Sequence, residues 1–548
     1  MPVLFCLVGI KREIPHLGLK SNIIEEKVMV TAHNPILNGF YPDPSICAVG
    51  EDFYLVTSTF AYFPGVPIFH SRDLAHWEQI GNILNRESQL PLKNCGHSKG
   101  IFAPVIRYYD GTFYLITTNV SEGRIPGEQN FIVTARNPEG PWSEPYYLGK
   151  DALGIDPSLF FDDDGKCYYV GTRPNSQETR YYGDWEIWMQ ELDLETMRLT
   201  GKSRRLWKGA MNEVAWPEGP HIYKKDGYYY LMIAEGGTGP NHSVTVARSR
   251  QIEGPYENNP DNPILTHRHL GKNYPVVYVG HGDLVEDING NWYMVMLGSR
   301  PCKGYTNMGR DTFLAKVAWE NGWPVVNPGI GKLEDTVEIP LEPMDYFHKD
   351  PIYSFDSAAL DPAMMMLRNG APDMYDLKEN PGHLRLRLNR STLKDLASPA
   401  YICVRQQHFD YQAAAAMRFT GMNENECAGL AIVQSNEYHV RFEKCCKGEA
   451  AFLRVVRCEK LQDTVIAEQQ IPSGKIILKI INKGNSADFY YRSDSKYEAV
   501  TRDVDVHCLS TEVAGGFTGC TLGMYASGNG KDSDNFADFS WFFYDALK

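Results

Sequence analysis

Five segments in the first 340 residues repeat one pattern at an interval of roughly sixty residues. Each segment begins at a position of potential chemistry and continues through a turn signal into a tyrosine-rich apolar run. The five positions are Asp43, Ala103, Asp156, Glu218 and His281, at intervals of 60, 53, 62 and 63 residues. The turn signals lie at Asp52, Gly111, Gly165, Gly227 and Gly290. A long, near-regular period of paired strands is typical of a repeat architecture, and five units predict the five blades of a β-propeller.

Equivalent positions of a propeller converge, because the innermost strand of every blade lines one central channel. The five positions therefore bring two Asp, one Glu and one His to the same channel. Strands disfavour acidic residues, and burying a carboxylate without a partner is costly. A catalytic site explains this arrangement best.

The three carboxyl groups suit glycoside hydrolysis. That reaction needs one acid to protonate the leaving oxygen and one base to activate water or attack directly. A third carboxylate tunes the others, since like charges held close raise a pKa. Alone, each of Asp43, Asp156 and Glu218 is more simply explained as a turn or strand-end residue. Their shared register favours catalysis.

Long ordered motifs of this chain resemble glycoside hydrolase family 43, in particular its two-domain β-xylosidase-like members. They are NPILNGFYPDPSIC, TSTFAYFPGVPIFHSRDLAHW, GIDPSLFFDDDG, WPEGPHIY, GHGDLVED and MGRDTFLAKV. The resemblance starts at Asn34 and covers nearly the whole chain. It implies that Asp43 is the general base, Glu218 the general acid, and Asp156 the carboxylate that orients the acid and raises its pKa.

The resemblance also implies a set of sugar contacts, from Phe60, Phe102, Ala103, His281, Arg310 and Phe517. Phe60 and Phe102 wall the terminal sugar subsite, although many relatives carry Trp where this chain has Phe102. Arg310 holds sugar hydroxyls. His281 lies at the channel floor, where it orients Asp43, holds a hydrated calcium ion through water, or does both. No cofactor is required, and calcium is the one metal left open.

Inversion at the anomeric carbon is a further implication of the resemblance. Inverting enzymes keep their two carboxyl groups about 6.5 to 9.5 Å apart, so that a water molecule fits between them. We therefore expect this separation between Asp43 and Glu218. A gap near 5 Å would instead indicate a retaining double displacement.

A second domain follows the propeller. The sequence predicts an extension at residues 1–33, a propeller at 34–338, a proline-marked linker at 339–351 and a further domain at 352–548. Alternating segments such as HLRLRLNR, YICVRQQ, EYHVRFEK and KIILKIIN predict antiparallel strands, and NFADFSWFFYDAL predicts a closing strand. Such strands favour a β-sandwich, which the resemblance implies is concanavalin-like. The protein is therefore predicted to be all-β.

One loop of the second domain has a predicted role in the site. GGFTGCTLG, which contains Phe517, resembles the loop with which similar two-domain enzymes narrow the pocket. A pocket closed in this way is a blind hole that admits only chain ends. The resemblance thus implies exo action.

Composition limits the partners and the setting. A net charge of −14 repels nucleic acid and anionic membranes but is compatible with a neutral sugar. Twelve irregularly spaced cysteines indicate reduced thiols, and MPVLFCLVGI makes a poor signal peptide. Both features favour the cytoplasm. Residues 1–28 lie outside the resemblance, and Met29 is a hypothetical natural start.

We expect an inverting exo-glycosidase that removes terminal β-1,4-linked xylose from xylo-oligosaccharides or arabinoxylan fragments, with some α-L-arabinofuranosidase activity. A predominant arabinofuranosidase is the nearest alternative. An endo-acting arabinanase or xylanase requires an open groove, which the predicted Phe517 loop disfavours. A non-catalytic sugar-binding propeller is the alternative from another class. Association into a homo-oligomer is also left open.

Overall fold

The computed structural model describes residues 28–122, 129–346 and 350–547. Residues 1–27, most of the predicted N-terminal extension, lie outside these ranges. The first described strand is β1 (Val30–His33). Five four-stranded antiparallel sheets follow, each built from strands consecutive in the chain apart from one short insertion in the first.

The strands of the five blades are as follows. Blade I has β2 (Ser45–Val49), β3 (Asp52–Val56), β5 (Gly65–Ser71) and β6 (Glu78–Leu84), with β4 (Tyr62–Phe63) in the loop before β5. Blade II has β7 (Val105–Tyr109), β8 (Thr112–Thr118), β9 (Asn130–Ala135) and β10 (Tyr146–Tyr147). Blade III has β11 (Ile155–Phe161), β12 (Cys167–Pro174), β13 (Trp185–Asp193) and β14 (Arg198–Trp207). Blade IV has β15 (Glu218–Lys225), β16 (Tyr228–Glu235), β17 (Ser243–Ser249) and β18 (Glu257–Asn258). Blade V has β19 (Val277–Glu286), β20 (Trp292–Ser299), β21 (Asp311–Glu320) and β22 (Trp323–Val326).

The five blades form a closed ring. The first strand of each blade contacts the first strand of the next, from β2 through β7, β11, β15 and β19 back to β2. Outside the ring, β1 pairs with β23 (Thr336–Ile339), and this pair joins the chain segments that precede and follow the five blades. The predicted five-bladed propeller is confirmed.

The turns between the first two strands of each blade follow the sequence closely. Asp110 and Gly111 have φ of +44° and +70°, and Asp226 and Gly227 have +50° and +75°, as Asp-Gly hairpin turns require. The prediction for blade I was wrong by about two residues, because Asp52 is already the first residue of β3. There Gly50, at φ +63°, supplies the left-handed turn.

Two eight-stranded sheets form the second domain. The first contains β24 (Ile352–Ser354), β26 (Tyr375–Asp376), β27 (Leu384–Arg387), β29 (Tyr411–Arg418), β34 (Lys475–Lys483), β35 (Ser486–Arg492), β36 (Glu498–Asp505) and β38 (Phe536–Ala546). The second contains β25 (Met365–Leu367), β28 (Ala400–Arg405), β30 (Cys427–Val433), β31 (Tyr438–Lys447), β32 (Ala450–Glu459), β33 (Gln462–Ile471), β37 (Thr521–Ser527) and the propeller strand β4. A 3-10 turn (His507–Leu509) and the one-turn helix α1 (Thr511–Ala514) precede β37. The sandwich prediction is confirmed, including β38 as the closing strand.

The two domains share a sheet. Strand β4, from the propeller, pairs antiparallel with β25 of the sandwich, so that Tyr62 lies opposite Leu367. A buried apolar cluster continues this contact, with Phe40 and Phe60 on the propeller side and Tyr401 on the sandwich side. The sandwich is thus packed against the blade that carries Asp43.

Two further features of the described residues concern their cysteines and their helices. All cysteines within them carry free thiols. These residues include no helix with the length and hydrophobicity that a bilayer crossing requires.

Candidate active site

Three of the five predicted site positions share one left-handed backbone conformation. Asp43, Asp156 and His281 have φ of +54°, +50° and +50°, and in blade IV the residue after Glu218, Gly219, has +55°. The pairing of the first two strands shifts register here in blades III, IV and V. Bulges re-aim side chains, and left-handed non-glycine residues, which cost about 1–3 kcal/mol each, cluster at functional sites.

Asp43 is a buried, ion-paired carboxylate. Arg310 Nη1 donates to Asp43 Oδ1 at 2.6 Å, and Ser58 Oγ donates to Oδ2 at 2.6 Å. Burial raises the pKa of Asp43, but the charge of Arg310, the interaction with His281 and the Ser58 hydrogen bond outweigh it, and the net pKa lies below its ordinary value of 3.8. Asp43 is therefore ionised at neutral pH and ready to accept a proton.

The pKa values of Glu218 and Asp156 are raised, in contrast to that of Asp43. Burial raises the pKa of Glu218 well above 4.5, and the nearby carboxylates of Asp156 and Asp43 raise it further. Burial also raises the pKa of Asp156 to about 6, against the effects of His281 and of the Gly219 N–H, which donates to Asp156 Oδ2 at 3.2 Å. The site thus holds a proton donor beside an ionised acceptor.

His281 packs against the backbone that carries Glu218. A Cβ atom at position 219 would lie 2.8 Å from the Cε1 atom of the imidazole, so only glycine leaves room for the ring. The His281 side chain is itself buried, at 5% exposure. The structure therefore places His281 near the carboxyl groups of Asp43 and Asp156, in the channel position that the family resemblance implies.

The predicted aromatic wall is assembled from both domains. The ring centroid of Phe60 lies 5.3 Å from that of Phe102 and 6.2 Å from that of Phe517. The guanidinium carbon of Arg310 lies 5.7 Å from the Phe60 centroid and 5.9 Å from the Phe517 centroid. Ala103 is buried next to Phe102. Phe517 is 44% exposed, so part of its ring is free to contact a ligand.

A second layer of polar residues, which the sequence analysis missed, lies farther along the same strands. Arg107 Nη1 and Nη2 donate to the Asp283 carboxylate at 2.8 and 3.1 Å, and Nη2 also bonds His221 Nδ1 at 2.8 Å. Ser45 Oγ donates to Asp283 at 2.7 Å. Ser158 Oγ lies 3.2 Å from His221 Nδ1 and belongs to the same layer. Because Ser45, Ser158 and Asp283 each follow a predicted site residue by two positions, the repeat held a signal for part of this layer.

This layer does not fit a calcium site. Calcium takes six to eight oxygen ligands. Both oxygens of Asp283 already accept bonds from Arg107, and Tyr223 Oη donates to Oδ1 at 2.6 Å while Ile46 N donates to Oδ2 at 3.1 Å. The Arg107 guanidinium supplies positive charge at this level of the channel, and the carboxylate oxygens are fully engaged.

Comparison with known proteins agrees with the fold and identifies the family. The family model described as glycosyl hydrolases family 43 matches residues 32–324, and a model described as a beta xylosidase C-terminal concanavalin A-like domain matches residues 353–545. A Butyrivibrio fibrisolvens protein named xylosidase/arabinosidase is 55% identical over 94% of this chain and 99% of its own length.

Two further relatives are named for different activities. A Bacteroides ovatus protein named non-reducing end alpha-L-arabinofuranosidase is 40% identical over 94% of this chain and 95% of its own. The solved structure of a xylan beta-1,4-xylosidase from Bacillus halodurans superimposes with a TM-score of 0.87 at 36% identity, covering 94% of this chain and 99% of that one. The motifs, the domain pair and these matches agree, and the chain belongs to glycosyl hydrolase family 43.

Proposed function

We propose that the protein is an inverting exo-glycosidase that releases terminal β-1,4-linked xylosyl units from xylo-oligosaccharides, with α-L-arabinofuranosidase as a second activity. The observation that carries the proposal is the pairing of two buried carboxyl groups in one site: Asp43, ion-paired with Arg310, has a lowered pKa, and Glu218, close enough to feel the charge of Asp43, has a raised pKa. The names of relatives that match nearly the whole chain support the choice of substrate.

The reaction uses the two groups on opposite faces of the bond. Glu218 donates its proton to the glycosidic oxygen as the bond from that oxygen to the anomeric carbon breaks. Asp43 accepts a proton from the water molecule that attacks the anomeric carbon from the other face. The products are xylose of inverted configuration and a shortened chain. Asp156 contributes through its charge, which keeps the pKa of Glu218 high.

Arg310 is the polar residue suited to hold sugar hydroxyls. Its guanidinium donates to Asp43, and its central carbon lies 5.7 Å from the Phe60 ring centroid and 5.9 Å from that of Phe517. Phe102 and Phe517, which are partly exposed, offer apolar faces for stacking on the sugar ring, whereas Phe60 is buried and supports them from behind.

An enzyme acting mainly on α-L-arabinofuranosides is the second candidate. The Bacteroides ovatus relative carries that activity in its name. A β-D-xylosyl unit and an α-L-arabinofuranosyl unit present similar hydroxyl arrangements to one small pocket. The same catalytic groups would serve both.

Activity measurements with paired substrates test the proposal. We expect a higher kcat/KM for 4-nitrophenyl β-D-xyloside than for the α-L-arabinofuranoside, and turnover of xylobiose. Proton NMR of the xylobiose reaction should show α-xylose as the first product. Equal or greater turnover of the arabinoside would reverse the ranking, and β-xylose as the first product would rule out inversion.

We further propose that catalysis requires no metal, because Arg107 already supplies a cation beside Asp283. Treatment with EDTA followed by gel filtration should leave kcat and the melting temperature unchanged, and adding Ca²⁺ should then change kcat by less than about twofold. A calcium-dependent member of the family treated in parallel controls for incomplete chelation. Loss of activity that Ca²⁺ restores would contradict the proposal.

A further inference from the structure

Tyr182 and Trp216 form an exposed aromatic surface, here called the ledge. The Tyr182 side chain is 85% exposed, and Trp216 is partly exposed. Their ring centroids lie 4.9 Å apart at an interplanar angle of 81°. Exposed, adjoining aromatic rings are unusual on a soluble surface and are the groups on which sugar rings stack.

The ledge is held in place by its backbone. Trp216 N donates to the carbonyl of Gly183 at 2.8 Å, and the Tyr181 hydroxyl donates to the carbonyl of Val214 at 3.1 Å. A Cβ atom at Gly183 would lie 3.2 Å from the Trp216 ring, so the two loops are in close contact. The ledge is therefore a preformed surface rather than the tip of one independent loop.

The ledge is also continuous with the catalytic pocket. Trp216 lies two residues before Glu218, and a Cβ atom at Gly237 would lie 2.6 Å from the Trp216 ring. The next residue, Thr238, accepts a hydrogen bond from Arg310 Nη1 at 3.3 Å. Arg310 in turn holds Asp43. The ledge thus adjoins the pocket wall on the side of Glu218.

The position of the ledge relative to Glu218 determines which sugar unit of a bound oligosaccharide it would contact. The general acid protonates the leaving oxygen, so the sugars beyond that oxygen lie on the acid's side of the scissile bond. A terminal unit seated between Asp43 and Glu218 would direct the rest of the chain outward past Glu218. Trp216 is two residues from Glu218 and is less exposed than Tyr182, so a chain running outward would meet Trp216 first and Tyr182 next.

We propose that Tyr182 and Trp216 form a binding subsite for xylosyl units of the leaving group beyond the first. This inference rests on the proposed exo-xylosidase function. It makes the enzyme favour chains of three or more units, because only these reach the ledge. We expect one sugar ring stacked on an exposed tyrosine to change affinity by about five- to tenfold, which is within the range found for the packing of aromatic pairs.

Tyr182→Ala tests the subsite without disturbing the pocket, since Tyr182 is mostly exposed. We expect kcat/KM for xylotetraose to fall about five- to tenfold, mainly through KM, while kcat/KM for 4-nitrophenyl β-D-xyloside stays within twofold. Tyr182→Phe, which keeps the ring, should behave like the wild type. Tyr146→Ala, at a 43% exposed tyrosine on the outer strand of blade II, is the matched control and should change neither value.

Two outcomes would overturn the subsite. One is an unchanged ratio of xylotetraose to xylobiose turnover in Tyr182→Ala. The other is an equal loss on the aryl xyloside, which would indicate a structural role instead. Failure of the proposed function itself looks different, because the wild-type enzyme would then not hydrolyse the aryl xyloside at all.

Discussion

Replacing Asp43 by Asn is expected to lower kcat about 10³- to 10⁴-fold on xylobiose and on aryl xylosides alike. The amide has nearly the shape of the carboxylate but cannot take a proton from the attacking water. Leaving-group chemistry does not alter this loss, because the base acts on water in every case. Steady-state kinetics on both substrate types, with circular dichroism to verify folding, measures it.

Ser58→Ala is the matched control for Asp43. It removes one hydrogen bond that lowers the pKa of Asp43 and leaves the carboxylate in place. Activity requires ionised Asp43, so it is lost as pH falls through the lowered pKa of this group. In Ser58→Ala that pKa rises, and the acidic limb of kcat/KM should move to higher pH with only a modest loss at the optimum. If Asp43→Asn kept more than a tenth of wild-type activity, Asp43 would not be the base.

The repeat predicted the ring and the catalytic positions because both depend on local backbone chemistry. Asp43, Asp156 and His281 occur at equivalent positions and adopt the same left-handed φ, so the register that gives the fold also aligns the site. Glu218 reaches the same place through Gly219, the glycine of its motif. Patterns of this kind can be recognised in a single sequence, because the residues that form them lie close together in the chain.

Contacts between segments that are distant in the sequence could not be predicted in this way. Arg107 falls outside the aligned register and reaches Asp283 only through its long side chain, across 176 residues of chain. Strand β4 has two residues, too few for a periodic signal, yet it completes a sandwich sheet. The ledge arises from two loops whose aromatic residues are 34 positions apart. Nothing in the local sequence links these partners.

Replacing Glu218 by Gln should produce a loss that depends on the leaving group. The xylose unit that leaves xylobiose departs as an alkoxide unless its oxygen is protonated, so we expect kcat/KM for xylobiose to fall about 10³- to 10⁴-fold. The 2,4-dinitrophenyl group leaves readily without a proton, and its xyloside should retain activity within about tenfold of the wild type. A similar loss on both substrates would show that Glu218 does not supply the proton.

The pH dependence of activity gives a second, independent test of Glu218 as the proton donor. Its pKa is raised, so the protonated, active form persists above the usual range and activity is lost as pH rises through that pKa. This alkaline limb should disappear in Glu218→Gln assayed with the dinitrophenyl xyloside. Asp156→Asn is the control, because removing its charge lowers the pKa of Glu218 and should move the limb to lower pH without abolishing it. If the limb instead vanished in Asp156→Asn and persisted in Glu218→Gln, Asp156 would be the proton donor.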